Sequence, residues 1–249
     1  MAWSLVPAIL ESGHEITGIY GRNTLTLNPL VDRFGLPAFH SLENIPQSDL
    51  VFIAVTDSAI AEVSTVVAKE NIVVHCSGST GIDVLAQRFN NCGVVYPTQT
   101  FSKHRKADFK NIPLLVEYSS PEAGVVIMEF AKSLSNDVRE MTSSQRIYLH
   151  LAAVFACNFT NHFFAVAKNI LDDNNVDFGL LYPLINETVE KALKCGNPAK
   201  CQTGPAVRQD NLTLEKHINL LEPIPYLKDI YISLSQSIIK FKQNGNTNI

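Results

Sequence analysis

The chain has 249 residues, of which 46% are hydrophobic, and this is enough apolar material for the core of one large domain or of two ordinary ones. A formal net charge of -4 and a pI near 6.0 leave no basic surplus to neutralise a phosphate backbone, so the composition indicates no nucleic-acid partner. The five cysteines are scattered and lack CxxC spacing, which argues against a disulfide framework and against a zinc site. We therefore predict that all five are reduced thiols.

The N-terminus lacks the basic region of a signal peptide and is interrupted by Pro7 and Glu11, which favours a cytoplasmic protein. The most apolar stretch, 149–171, approaches the length of a membrane span. Polar side chains at 158 and at 160–162 lie at its middle, where hydrocarbon would penalise them. The stretch is therefore predicted to be a buried helix of a protein without a membrane partner.

From residue 15 to about 140 the chain alternates short β-rich runs with stretches of helical character. The runs are EITGIY, DLVFIAV, NIVVHCS, GVVYP and IPLLVE, which are rich in Val and Ile. Helices are predicted around them at 2–12, 58–69, 82–90 and 122–134. Strands that are apolar at consecutive positions, such as VFIAV, are typical of a sheet covered by helices on both faces. This pattern predicts a doubly wound, parallel α/β domain over residues 1–140.

After residue 140 the β-rich runs stop and long helical stretches follow. Thr142 and Gln145 fit the capping-box pattern, and a helix of roughly 27 residues, about 40 Å long, should follow them. Because this helix is apolar nearly all the way round, other helices must surround it, and a two-fold partner chain could supply some of them. With further helices at 178–194, 212–221 and 225–241, residues 141–249 are predicted to form an all-α domain that makes a homodimer.

The start of the chain differs from that of a complete dinucleotide-binding fold. Such a fold opens with a strand and a Gly-rich turn whose amides meet the pyrophosphate at the N-terminus of the first helix. The segment AWSLVPAILESGHEITGIYGRN instead reads as the first helix, a turn, the second strand and the ribose-recognition loop. We expect the absent strand and glycines to lie within roughly ten residues upstream of Met1. A mis-assigned start codon, a truncated chain and a true loss of the strand remain open as reasons.

Five segments, in this order, resemble one known family. They are GHEITGIYGRN, VHCSGSTGIDVLA, YPTQTFSK, SSQRIYLHLAAVFACNFTNH and QTGPAVRQDN, and together they extend over nearly the whole chain. The family has a Rossmann-like domain followed by a helical domain called DUF2520, and it is related to pyrroline-5-carboxylate reductases. Its members are often labelled NADP- or F420-dependent oxidoreductases. The resemblance implies a Rossmann-like fold with its first strand absent, and NADP or F420 as the cofactor.

Residues after two of the predicted strands are candidates for cofactor binding. Arg22 and Asn23 follow the second strand of such a fold, where an acid would bind the ribose 2′-hydroxyl of NAD but an arginine pairs with the 2′-phosphate of NADP. Arg22 therefore favours NADP, with a solvated loop arginine as the alternative. Val55 and Thr56 would line the cofactor crevice, whereas Asp57 is predicted to cap the helix that follows.

Two later strands end in further candidates. Ser77, Gly78 and Ser79 lie where related reductases pass the backbone beside the nicotinamide ribose, although turn chemistry alone would explain them equally well. Gln99 and Thr100, in YPTQTFS, resemble the segment that flanks the nicotinamide in pyrroline-5-carboxylate reductases. The alternative for this segment is a rigid turn.

The long helix carries a third set of candidates. His150, Val154, Asn158 and Asn161 are spaced by four, four and three residues, so they would share one helical stripe. Related β-hydroxyacid dehydrogenases place polar catalytic side chains on the corresponding helix. The alternative is that these side chains form hydrogen bonds within a dimer core.

The segment QTGPAVRQD, at 202–210, is the last candidate site. It resembles the Thr- and Gly-rich helix entry that binds substrate carboxylate in the reductases, and it contributes Thr203, Gly204 and Arg208. A helix N-terminus beside an arginine makes an anion site physically reasonable. A simple Gly-Pro break between helices is the alternative.

Together these expectations describe an NADP-dependent reductase or dehydrogenase that acts on a small anionic carbonyl or imine. The cofactor would carry the hydride, and His150 or Thr203 would supply a proton. The substrate would contact Asn158, Asn161, Gly204 and Arg208, in a site between the two predicted domains. A non-catalytic dimer that senses a nucleotide and an F420-dependent oxidoreductase remain as alternatives, because a fold alone does not define a reaction.

Overall fold

The computed structural model describes residues 1–41, 46–102 and 105–243. The chain forms two compact units, Met1–Phe163 and Phe164–Ile249. The first unit contains the strands and the second is helical. The predicted fold class, an α/β sheet followed by a helical region, is therefore confirmed, while the functional division at residue 140 stays a prediction.

The described part of the first unit contains seven strands. They are β1 (Ile19–Tyr20), β2 (Ala38–Phe39), β3 (Val51–Ile53), β4 (Val73–His75), β5 (Cys92–Pro97), β6 (Leu114–Tyr118) and β7 (Val138–Glu140). Strands β1 and β2 form a parallel pair, and the other five form one sheet in the order β3-β4-β5-β6-β7. Strand β6 is antiparallel to β5, so the sheet is mixed rather than wholly parallel as predicted. Strands β2 and β7 were not predicted because they are too short to give an apolar run.

The described part of this unit also contains the helices α1 (Ala2–Glu11), α2 (Thr24–Phe34), α3 (Ile60–Ser64), α4 (Asp83–Ala86), α5 (Pro121–Leu134) and α6 (Ser143–Ala153). The predicted helices at 58–69 and 82–90 are therefore shorter in the structure. The sequence pattern missed α2, whose internal Pro29 is normally a helix breaker. This helix begins where the Asn23 side chain accepts a hydrogen bond from the Leu25 amide, and it ends at Gly35, which has a φ of 64°.

Apolar side chains pack on both faces of the larger sheet. On one face Val95 belongs to a buried cluster with residues of α1 and α5. On the other face Cys92 belongs to a cluster that includes Leu85 of α4. Because side chains alternate along a strand, Val94 and Tyr96 share the face of Cys92, and Glu117, the cross-strand partner of Val94, does too. Helix α6 contacts this second face.

Helix α6 begins with the predicted capping box, in which Thr142 and Gln145 each satisfy a backbone amide of the other residue. It continues through a π-helical segment, Val154–Phe159, into α7, Thr160–Asp172. By length and composition alone, Ser143–Asp172 could cross a membrane, a test that core helices of soluble proteins also pass. The expectation of a buried helix is wrong for the single chain, because its only buried side chain is Arg146.

The described part of the second unit contains α8 (Tyr182–Lys194), α9 (Pro205–Arg208), α10 (Asn211–Leu220) and α11 (Pro225–Gln243). A disulfide joins Cys195, at the C-terminus of α8, to Cys201, with 6.6 Å between their Cα atoms. The prediction of five reduced thiols is therefore wrong for this pair. A short 3-10 turn, Pro198–Cys201, folds the chain back on itself and brings the two cysteines together, which spacing alone did not reveal.

Candidate functional site

Strands β3, β4 and β5 are parallel neighbours, so the loops that follow them emerge together at the carboxyl-terminal ends of the strands. The predicted cofactor residues of the first loop, Val55 and Thr56, are both exposed. The Ser79 hydroxyl donates a hydrogen bond to the Asp57 carboxylate and so joins the first loop to the second. Asp57 was predicted to cap a helix, and this prediction is wrong. Asp57 is the first residue of a 3-10 turn, and no side chain caps that turn.

The loop after β4 is held by its own side chains. The Ser77 hydroxyl accepts hydrogen bonds from the backbone amides of Ser79 and Thr80, so turn chemistry accounts for Ser77. The buried His75 ring accepts a hydrogen bond from the Ser77 amide at Nδ1, and its Nε2 lies 3.3 Å from the carbonyl oxygen of Gly81. Burial lowers the pKa of His75 to about 4, so the ring is neutral near pH 7 and Nε2 carries the proton that it donates.

Gly78 lies directly against two aromatic side chains. A Cβ atom at this position would lie 2.7 Å from Nδ1 of His150 and 2.9 Å from the ring of Tyr96. A methyl group at this position would therefore force the loop or one of the two rings to shift. The glycine thus allows the backbone of the loop to approach the two rings closely.

His150 and Tyr96 form a pair in which the hydroxyl oxygen lies 3.3 Å from Nδ1 of the imidazole. The two rings meet edge to face, with 6.1 Å between their centroids. Burial raises the pKa of the Tyr96 hydroxyl, so this group remains protonated across the physiological range. His150 is half-buried and can reach solvent. The pair therefore places a protonated hydroxyl beside a half-buried imidazole.

One turn before His150, the guanidinium of Arg146 is buried in a hydrogen-bonded network. It donates to the Glu117 carboxylate at 2.7 Å, to the carbonyl oxygen of Thr80 at 2.7 Å and to the Ser143 hydroxyl at 3.1 Å. Burial would raise the pKa of Glu117, but the hydrogen bonds from Ser143 and the contact with Arg146 outweigh it and hold this pKa below its usual value. Glu117 is therefore a carboxylate near pH 7.

Four residues of this site were not predicted from the sequence, namely His75, Tyr96, Glu117 and Arg146. One signal was available for Arg146, because it lies four residues before His150 on a helix whose start is marked by a capping box. The other three lie on strands and carry no local signal. Their roles depend on which strands are neighbours, and a sequence does not state this.

Other predicted cofactor residues lie outside this cluster of contacts. Arg22 is exposed just after β1, and Asn23 serves as the cap of α2. Gln99 and Thr100 are exposed after β5, and the Gln99 side chain accepts a hydrogen bond from the Thr100 amide. These contacts are local, and they leave the Arg22 side chain accessible to a ligand.

The predicted stripe on the long helix does not continue in regular α-helical phase. In the π-helical segment Val154–Phe159, residue i+5 rather than i+4 lies over residue i, so Phe159 takes the place above Val154 that the spacing assigned to Asn158. Asn158 and Asn161 are both exposed. Among the described residues, His150 contacts Tyr96 and Gly78, whereas neither asparagine makes such a contact.

In the second unit, the predicted anion-binding segment enters a very short helix. Gly204 has a φ of 109°, a conformation that favours glycine, and it precedes the four-residue helix α9. Thr203 and Arg208 are exposed, and Gln209 ends the helix in the left-handed conformation. A helix of one turn has a weak dipole, so an anion would depend mainly on Arg208.

A family model described as "Domain of unknown function (DUF2520)" matches residues 112–238, which is about half of the chain. The chain belongs to the DUF2520 family. The match includes α6 with Arg146 and His150, and the whole second unit as far as residue 238. No curated protein matches this DUF2520 chain.

Solved structures extend the comparison to the first unit. A Bacteroides fragilis protein, provisionally named an NADP oxidoreductase, is 36% identical, with a TM-score of 0.88 over 96% of this chain and 93% of its own. A reductive aminase from Aspergillus terreus, solved with NADPH and ethyl-5-oxohexanoate, is 14% identical, with a TM-score of 0.71 over 98% of this chain and 90% of its own. A 1-pyrroline-5-carboxylate reductase from Streptococcus pyogenes is 13% identical, with a TM-score of 0.56 over 95% of each chain. The last two share the fold alone.

Within residues 1–41, 46–102 and 105–243, no three His, Cys, Asp or Glu side chains are grouped as metal ligands would be. The cluster around His150 instead offers a hydroxyl, an imidazole and backbone groups at the carboxyl-terminal ends of the parallel strands. These are groups that bind and orient organic molecules and move protons.

Proposed function

We propose that this DUF2520 protein is an NADP-dependent reductase or dehydrogenase that transfers a hydride to or from a small anionic carbonyl or imine compound. The observation that carries the proposal is the contact of His150 and Tyr96 with Gly78, at the carboxyl-terminal ends of the parallel strands. Ligands of open α/β sheets bind outside the carboxyl-terminal ends of the strands. The similarity to a provisionally named NADP oxidoreductase supports the same conclusion.

The described residues fit the nicotinamide end and the 2′-phosphate of such a cofactor. Thr56, Ser79 and Gln99 have exposed polar side chains. They lie on the three loops that follow the carboxyl-terminal ends of β3, β4 and β5. Arg22 is exposed after β1 and forms no ion pair with another described residue, so its guanidinium is free to bind a phosphate. The absence of a Cβ at Gly78 lets the backbone carry a ribose close to the two rings.

In this proposal bound NADP would supply or accept the hydride. The protein would bind and orient the substrate, and it would give a proton to the substrate in the reduction or take one from it in the oxidation. His150 holds the exchangeable proton, because its imidazole is half-buried and can be reprotonated from solvent. The Tyr96 hydroxyl orients the ring through Nδ1, which leaves Nε2 to face the substrate. Asn158, Asn161, Gly204 and Arg208 remain the proposed substrate contacts, and Thr203 is the alternative proton donor.

We also propose that the protein is a homodimer through the long helix. Tyr148, Leu151 and Phe155 are 74%, 52% and 63% exposed in the single chain. Three large apolar side chains on adjacent turns of one helix form a patch that a second copy would cover. Helices of the second copy would thereby cover the exposed apolar side chains of the long helix.

The test is the oxidation of NADPH by the purified protein with a panel of small keto acids, alone and with an amine that forms the imine. Replacing His150 by Gln should lower kcat about 100-fold, whereas His217→Gln, which alters the His217–Tyr231 pair of the second unit, should leave kcat unchanged. Replacing Arg208 by Ala should instead raise the substrate KM about tenfold. Tight NADPH binding with no turnover on any compound would indicate a sensor and overturn the proposal.

Cofactor choice is tested separately by measuring the Kd of NADPH and of NADH. Replacing Arg22 by Asp should weaken NADPH binding about tenfold and change NADH binding little, because the lost charge faces the 2′-phosphate. Lys69→Asp removes another exposed cation of the same unit and serves as the control. Equal effects of Arg22→Asp on the Kd of NADPH and of NADH would exclude this role of Arg22. A much lower Kd for F420 than for NADPH would show that F420 is the cofactor instead of NADP.

A further inference from the structure

Arg146 is the one buried cation of helix α6, with only 1% of its surface exposed. Its contacts come from three separate parts of the first unit: Glu117 on β6, Thr80 in the loop after β4, and Ser143 in the first turn of α6. The Ser143 hydroxyl also accepts a hydrogen bond from the Ile82 amide. Arg146 thus links the helix, the sheet and the loop in one network.

A contribution to the stability of the fold does not by itself explain why this network is present. The Arg146 Nε is buried without a hydrogen-bond partner among the described residues, and an unsatisfied buried N–H destabilises a fold. A buried ion pair also contributes less to stability than apolar side chains of similar volume often do. What the network does provide is geometry, because a planar guanidinium fixes several acceptors in defined directions.

The geometry bears directly on His150. Arg146 and His150 lie four residues apart on the same side of α6, and both contact the loop after β4, one at Thr80 and the other at Gly78. The contact at Gly78 has no room for a single methyl group. A small shift of the helix against the loop would therefore separate His150 from the backbone at Gly78 and from Tyr96 on β5.

We propose that Arg146 is a positioning residue, which holds helix α6 against the loop after β4 so that His150 stays beside Gly78 and Tyr96, where it would exchange a proton with the substrate. This inference rests on the proposed function of His150. Glu117 holds the guanidinium on the sheet, and His75 holds both ends of the same loop, through the Ser77 amide and the Gly81 carbonyl oxygen. Arg146 touches neither substrate nor cofactor in this role.

The kinetic test compares Arg146→Lys with Arg139→Lys, a change at an exposed arginine that is paired with Asp137. Lysine keeps the charge but lacks the planar fork, so Arg146→Lys should lower kcat about 100-fold and leave the KM for NADPH nearly unchanged. Gly78→Ala disturbs the same contact from the loop side and should have a similar effect. If both variants act through one distance, the double variant should cost little more than either single variant.

A second readout needs no substrate. In protein labelled with ¹⁵N-histidine, the ring signals of His150 are identified by their loss in His150→Gln. Arg146→Lys and Gly78→Ala should both shift these signals, while the ring signals of His217, which contacts Tyr231, stay in place as an internal control. Absence of turnover in the unaltered protein would therefore end the proposed function and still leave the position of His150 measurable.

Two results would overturn the inference. In an active enzyme, an unchanged kcat in Arg146→Lys and Gly78→Ala would mean that Arg146 has only a structural role, even if Tm falls. In a chain without turnover, unchanged His150 signals in both variants would do the same. If Arg146→Lys fails to fold, Glu117→Gln, which removes the ion-pair partner of Arg146, replaces it in both measurements.

Discussion

His75 lies fully buried beneath the loop that carries Gly78, and burial lowers its pKa from 6.5 to about 4. Between these two values the unfolded chain binds a proton that the folded chain does not, so stability is complete above pH 6.5 and falls as the pH is lowered. The loss should amount to about 3 kcal/mol over the whole range.

The check is the free energy of unfolding from urea titrations at pH 7 and at pH 4.5. We expect His75→Gln to show a smaller decrease between the two pH values than the unaltered chain, because the titrating ring is gone. His217→Gln, at a histidine of the second unit, should keep the full decrease. An identical decrease in His75→Gln and in the unaltered chain would show that another group is responsible.

Helix α6 depends on its first turn, since the capping box of Thr142 and Gln145 begins the helix that carries Arg146 and His150. Replacing Thr142 by Ala leaves the Gln145 amide without its hydroxyl acceptor and should lower the free energy of unfolding by about 1 kcal/mol. Thr24→Ala removes an exposed threonine from the first turn of α2, where Asn23 is the cap, and should cost less. Equal losses in the two variants would contradict the capping role.

The C-terminus of α8 is joined to the following turn by the disulfide between Cys195 and Cys201, whereas Cys76, Cys92 and Cys157 are free. Thiol titration of the denatured, unreduced protein should therefore find three thiols, and five after reduction. Cys195→Ser should give four in both conditions, because Cys201 then has no partner. Five thiols before reduction would restore the sequence-based prediction that all of the cysteines are reduced.

Across the whole molecule, the exposed apolar face of the long helix predicts a dimer. Light scattering at micromolar concentration should give twice the mass of one chain, and Phe155→Asp should give the mass of a single chain because it buries a charge in the interface. Leu25→Asp is the matched control, since Leu25 is 84% exposed but lies on α2. A monomeric unaltered protein, or two variants with the same mass, would refute the dimer.

Prediction of the fold succeeded where the signal was local. The runs around β3 to β6 and the capping box of α6 contain their own evidence, because strand and helix periods appear within a few neighbouring residues. It failed at β2 and β7, which have two and three residues, and at α2, which contains Pro29. These elements form because neighbouring strands and helices stabilise them, and a short window of sequence does not include those neighbours.

The amino-acid sequence by itself determined the class of fold, the DUF2520 resemblance and the placing of Gly78 and His150 among the candidate residues. Only the tertiary structure decided that these two touch, and that Tyr96, Glu117 and Arg146 complete the cluster. The partners of these contacts lie 54, 29 and 66 residues apart in the chain, for Tyr96–His150, Glu117–Arg146 and Thr80–Arg146. Helical and strand periods extend over a few residues, so contacts of that separation follow from strand order and register, which are set by the packing of the whole sheet.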